Sequence, residues 1–251
     1  MISKARLKFI HSLERKKFRT EHNAFVVEGP KNVTDMATAF RCIYIAATRE
    51  WIEPNTDMLK TVQFDELTQE ELRKSSFQEH PQQVMAIFEL PDYDSASIDM
   101  QNQLVLALED IQNPGNLGTI IRIADWFGIK DIICSYATAD AFAPKTVQAA
   151  MGSLARVRVH YVDIKETLKK VMNDIPVYGT FLDGNDVYKT PLKKNGIIVM
   201  GNEGNGISEE ISQLVTDKLT IPNYNNFPTQ ADSLNVAVAT AIVCAEFRRR
   251  Q

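Results

Sequence analysis

Residues 201–206 read Gly-Asn-Glu-Gly-Asn-Gly and directly follow the apolar run Ile197-Ile198-Val199-Met200. An acidic side chain, Glu203, set in a glycine turn is a way to build a small-molecule site mostly from backbone, with Gly201, Asn202, Gly204 and Gly206 as its frame. The flanking residues narrow the ligand. A phosphate-binding loop normally follows its glycines with Lys and then Ser or Thr; here Ile207-Ser208-Glu209-Glu210 follows, with no lysine. The Glu203 carboxylate repels a diphosphate and suits a ligand carrying positive charge. An ordinary strand-turn-helix connection is the plain alternative.

Two further segments carry chemistry. Asn113-Pro114-Gly115-Asn116-Leu117-Gly118 follows the apolar run Leu104–Leu108. Arg122 is one i,i+4 step beyond Gly118, which lets its guanidinium point back toward that turn. Its planar fork suits phosphate or carboxylate; an exposed helix charge is the other reading, although its flanks Ile120-Ile121 and Ile123-Ala124 make it an island among apolar residues. The third segment runs from Pro222 through the polar loop Tyr224–Gln230 to Ser233-Leu234-Asn235. Ser233 can cap the alanine-rich helix expected over 234–248. Asn235 is a poor helix former in such a stretch, so its presence asks for a reason.

The elements that position these residues follow from periodicity. Residues 3–19 show helical spacing of Leu7, Ile10 and Leu13, and 31–40 and 65–74 read as further helices. Strands are expected at 25–29, 41–46, 62–64 and 84–88, giving a small α/β domain. The polar stretch 91–97 is the best linker. Beyond it, strands at 104–108, 131–134, 156–159, 177–180, 197–200 and 219–221 alternate with helices at 118–127, 144–152, 163–172, 207–215 and 234–248. Continuous apolar strands of this kind belong to a parallel sheet covered on both faces. The class is α/β, divided into residues 1–95 and 96–251.

Composition, 44% apolar and 24% charged over 251 residues, is that of a soluble globular protein. No apolar stretch has the length of a membrane span, and the opening residues lack the apolar core of a secretion signal. Three isolated cysteines fit a reducing cytoplasm. The four histidines are dispersed, which leaves no metal-ligand pattern and no evident histidine base in the C-terminal half. No Gly-x-Gly-x-x-Gly follows the first strand of either half. The formal net charge is -4, yet residues 1–31 hold eight Lys or Arg against three Glu, a local +5 against -9 elsewhere. Lys8, Arg15, Lys16, Lys17 and Arg19 form either a solvated helix face or a phosphate-contacting surface. Arg248-Arg249-Arg250 is a second basic cluster or a frayed solubilising tail.

In their order and spacing the three segments resemble the signature motifs of the SpoU branch of SPOUT methyltransferases, which carry a methyl group from S-adenosylmethionine to a ribose 2′-hydroxyl of RNA. The resemblance covers roughly residues 102–247. It departs at Asn113, where the family usually has aspartate, and at Asn223, where many members have an apolar residue. Less specifically, Arg15–Arg19 and Phe25-Val26-Val27-Glu28-Gly29 resemble the opening of an accessory RNA-binding domain similar to ribosomal protein L30e.

The resemblance implies a deep C-terminal trefoil knot, which periodicity does not show and general topology disfavours. It also implies a homodimer packed through the last helix, with Val236, Val238, Ile242 and Val243 as candidate contacts. S-adenosylmethionine would lie against Gly201, Asn202, Gly204, Gly206, Ile221 and Leu234, with Thr180 beside the adenine. Arg122 would meet the RNA phosphate and ease deprotonation of the 2′-hydroxyl. Asn116 and Ser233 would fix arginine and phosphate, while Glu203 and Asn235 would order the loops. The implied partner is RNA, ribosomal before transfer RNA, with no DNA, membrane or metal. The competing classes are an RNA-binding module with a vestigial cofactor site and a small-molecule methyltransferase.

Overall fold

The structure, a computed structural model, describes residues 2–225 and 233–250. The chain forms two compact units, residues 1–92 with 140–156 and residues 93–139 with 157–251. Among the described residues no helix is long and apolar enough to cross a membrane.

In the first unit, β1 (Ala24–Glu28), β2 (Cys42–Ala47), β3 (Gln63–Glu66) and β4 (Val84–Glu89) form one sheet in the order β1-β4-β2-β3. Helix α1 (Lys4–Ser12), α2 (Lys16–His22), α3 (Pro30–Met36), the short α4 (Arg49–Ile52) and α5 (Thr56–Leu59), and α6 (Gln69–Ser75) accompany it. Ile10, Leu13, Val26, Tyr44, Met85 and Ile87 make its core.

The single helix expected over 3–19 is in fact two, and the cause is Arg19. This residue is 2% exposed. Its guanidinium donates to the carbonyls of Leu13 (2.8 Å) and Glu14 (2.6 Å), just past the end of α1. Helices leave such carbonyls unpartnered and favour a cation there. The same guanidinium is paired with Asp140 at 2.5 Å. Arg19 therefore holds the fold together and is not an exposed phosphate contact, which corrects its placement in the RNA-binding set. Lys8, Arg15, Lys16 and Lys17 are exposed.

Asp140 brings the segment 140–156 into this unit. Phe142 packs on Phe25, ring centroids 4.8 Å apart, and α8 (Pro144–Ala150) buries Val147 and Ala150. Apolar burial, not chain order, decides membership here, so the first unit is not one continuous stretch.

The second unit is built on β5 (Leu104–Leu108), β6 (Asp131–Cys134), β7 (Arg158–Tyr161), β8 (Val177–Asp186), β9 (Gly196–Met200) and β10 (Asp217–Thr220). The order is β10-β8-β9-β5-β6-β7 and every neighbouring pair is parallel. β5 and β9 lie side by side, Leu104 opposite Gly196 through Leu108 opposite Met200, and all ten residues are buried. Helices α7 (Pro114–Trp126), α9 (Ile164–Val171), α10 (Glu209–Ser212) and α11 (Val236–Arg249) complete the unit.

Several local features differ from the sequence reading, among them β8, expected over 177–180, which runs to Asp186. Helix α7 begins four residues early because the Asn113 side chain accepts from the N–H groups of Gly115 (2.8 Å) and Asn116 (3.2 Å), with Pro114 in the first turn. Helix α11 is capped by Asn235, not Ser233: the Asn235 side-chain oxygen accepts from Ala237 N (2.9 Å) and Val238 N (3.3 Å). That is the reason for an asparagine in this stretch. The C-terminal arginines are not a loose tail. Arg248 donates to Phe127 O at 2.7 Å, Arg249 forms two bonds to Glu246, and Arg250 reaches the carbonyls of Val187 and Thr190.

Candidate active site

The second unit contains a cleft of about 770 Å³ beyond the carboxyl end of β9, the position where open parallel sheets collect ligands. One side of it is the glycine turn 201–206. Asn202 and Gly206 exchange two hydrogen bonds, N to O at 3.0 and 2.9 Å, closing the turn on itself. Inside it the Asn202 side-chain oxygen accepts from Gly204 N (2.9 Å) and Asn205 N (3.0 Å). Gly206 adopts φ +69°, and a side chain there would be strained. Thr180 donates to Val199 O at 3.2 Å, which turns its side chain onto β9 at the cleft wall.

Three distant segments meet at one end of this cleft. Asn116 Nδ2 donates to Glu203 Oε1 at 2.9 Å, and Asn235 Nδ2 donates to Asn116 Oδ1 at 3.1 Å. Because Asn235 is also the cap of α11, the chain of bonds runs from the first turn of that helix to the carboxylate in the glycine turn. Each amide uses both its donor and its acceptor face, so the order of atoms is fixed by chemistry.

The structure thus brings Asn116, Glu203 and Asn235 into one hydrogen-bonded group. It sets Thr180, Gly201, Asn202, Gly204, Gly206, Ile221, Ser233 and Leu234 along the cleft. Arg122 is in neither set. It lies on the exposed face of α7 and makes no hydrogen bond or ion pair among the described residues. Of the polar loop Tyr224–Gln230, residues 226–230 lie outside the described residues, while Tyr224 and Asn225 line the cleft.

Two residues placed at the site escaped the sequence reading. Asp110, directly after β5, adopts φ +55°, a conformation that Asp tolerates better than most residues. Its carbonyl accepts from Asn202 Nδ2 (2.8 Å), its N–H donates to Ser135 Oγ (2.9 Å), and its carboxylate accepts from the Ser135 hydroxyl (2.6 Å). The glycine turn is thereby tied to the ends of β5 and β6. Its place just past a buried strand is the signal that marks it. The second residue is Asp183, on β8 at the cleft wall; the strand was expected only over 177–180, which left Asp183 outside it.

Residues 103–245 match the SpoU rRNA methylase family, and residues 4–86 match the MRM3-like substrate binding domain. The chain is 30% identical over 238 residues to the 23S rRNA (guanosine(2553)-2'-O)-methyltransferase RlmP of Bacillus subtilis, covering 94% of this chain and 93% of that protein. A solved TrmH-family structure from Porphyromonas gingivalis is 41% identical, with TM-score 0.89 and full coverage of both chains. An AdoMet-bound rRNA methyltransferase from Sinorhizobium meliloti is 28% identical, with TM-score 0.87, covering 100% of this chain and 97% of the other. The chain belongs to the SpoU rRNA methylase family.

Proposed function

We propose that this chain transfers the methyl group of S-adenosylmethionine to the 2′-hydroxyl of a ribose in ribosomal RNA. One observation carries the reading: a cleft bordered by a glycine turn, with two carboxylates and no Lys, Arg or His among its described lining residues, one of which, Glu203, belongs to the Asn116–Glu203–Asn235 group. That lining fits a cofactor with net positive charge and disfavours a polyphosphate. Family membership and the AdoMet-bound relative support it. The similarity to a 23S ribose methyltransferase through nearly the whole of both chains favours ribosomal over transfer RNA, and a chain acting there works where ribosomes are, in the cytoplasm.

S-adenosylmethionine supplies an electrophilic methyl on a sulfonium sulfur. The cleft's part is to hold that methyl in line with the ribose, since alignment removes much of the barrier. Held there, the cofactor would supply its methyl to the 2′-oxygen and keep the carbon–sulfur electron pair on sulfur, while the hydroxyl proton would leave for solvent. Arg122 pairs with the RNA phosphate and stabilises negative charge growing on the 2′-oxygen; a guanidinium has no acceptor site for the proton. Titration calorimetry with S-adenosylhomocysteine on folded protein should give saturable binding. An absence of heat at millimolar ligand would overturn the cofactor assignment.

The reading includes a two-fold homodimer. Val236 and Val243 are buried in their own chain, at 7% and 1% exposure, and are not free for a partner. Val238 is 50% exposed and Ile242 half-buried on α11, and the neighbouring α7 carries Trp126 at 86% exposure. An apolar surface of this kind suits a second copy, and Arg122 lies on the same exposed side of α7. Sedimentation at micromolar concentration should return about twice 28.3 kDa; a monomer would refute the dimer.

The first unit is read as the RNA-holding part. Replacing Arg15, Lys16 and Lys17 with glutamine should weaken binding to unrelated RNAs and leave cofactor binding alone. Each lost phosphate contact lowers the slope of log K against log salt by roughly 0.7 to 0.9. An unchanged slope would assign RNA affinity to the other unit.

A further inference from the structure

Among the described residues two carboxylates line the cleft, and they differ in their bonding. Glu203 accepts from Asn116 and belongs to the hydrogen-bonded group. Asp183 is exposed at the cleft wall and makes no hydrogen bond or ion pair among the described residues. Its backbone is nevertheless held firmly. Leu182 O accepts from the Thr220 hydroxyl at 3.2 Å, and Gly184 lies so close to β10 that a Cβ there would come within 2.6 Å of the Leu219 backbone. A lone carboxylate is thus kept at the wall by neighbours fixed on both sides. Lys218, on the adjoining strand β10, is engaged over the Phe181 ring at 4.6 Å and does not line the cleft.

S-adenosylmethionine carries a sulfonium, an ammonium and a carboxylate, for a net charge of +1. Loss of the methyl leaves S-adenosylhomocysteine, in which the sulfur is neutral and the net charge is zero. A negative wall therefore attracts the substrate form and is nearly indifferent to the product form. We propose that Asp183 sets this charge selectivity, favouring S-adenosylmethionine over S-adenosylhomocysteine and so easing discharge of the spent cofactor. The inference rests on the cofactor reading above and goes beyond it, because it assigns a discriminating role to a residue outside the hydrogen-bonded group.

The test is calorimetric affinity for both ligands in wild type, Asp183→Asn and Asp183→Lys, with Asp57→Asn as a control. Asp57 is an exposed acid of the first unit whose removal changes net charge equally. The affinity ratio of S-adenosylmethionine to S-adenosylhomocysteine should fall by about three- to tenfold in Asp183→Asn and further in Asp183→Lys. Nearly all of the change should fall on the cationic ligand and should shrink as salt is raised. Asp57→Asn should leave the ratio where it was. Equal changes for both ligands, no change for either, or the same fall in the Asp57 control would overturn the role of Asp183 while leaving the cofactor reading intact. Failure of folded wild type to bind either ligand would instead sink the cofactor reading, and this inference with it.

Discussion

Arg122→Ala is expected to lose methyl transfer on the order of 10²- to 10³-fold in single turnover, the scale set by removing one donor that meets developing negative charge. Cofactor affinity should stay within about twofold of wild type, by the same separation of roles, because Arg122 does not line the cleft. The variant should also fold normally, since the side chain is exposed and supports no hydrogen bond among the described residues. Arg122→Lys retains the charge without the planar fork and should fall between the two. A variant that kept most of its single-turnover rate would remove Arg122 from the reaction.

Gly201→Ala should abolish cofactor binding, weakening it by at least about a hundredfold, because the collision is with backbone that cannot swing aside. A Cβ built on Gly201 would run into the main chain of Gly206 and Ile207. Relief requires parting the Asn202–Gly206 bridge, and with it the turn that faces the ligand. Gly204→Ala is the matched control: its added methyl would meet only the Asn202 side chain, at an ordinary 3.5 Å. Calorimetry on both variants, with circular dichroism to verify folding, separates the effects. Equal loss at the two positions would mean that glycine content in general, not the close approach at Gly201, matters.

The pieces of the site that could be read in advance were those whose residue types conflict with their surroundings. Glu203 among glycines, Asn235 opening an alanine-rich helix and Asn116 in a turn each ask for a partner, and the three turn out to be one another's partners. The strands of the second unit were legible for a related reason, since runs such as Leu104–Leu108 have only one comfortable environment. What stayed hidden depends on contacts between residues far apart in the chain. Nothing local distinguishes Arg19 from Lys16 or Lys17, yet it alone is buried, against two carbonyls and Asp140. The packing of Phe142 on Phe25 is likewise invisible to periodicity. The register by which Gly184 meets Leu219 decides where Asp183 stands, and register is set by pairing across the sheet.

The bonds that close the site span 87 residues between Asn116 and Glu203 and 119 between Asn116 and Asn235. Contacts of such long range form late and slowly, because the chain between them must first be gathered. The last partner, Asn235, also caps α11, so the group cannot close until that helix has formed and docked. A second unit in which α11 has not docked therefore has an incomplete site, whatever the state of its sheet.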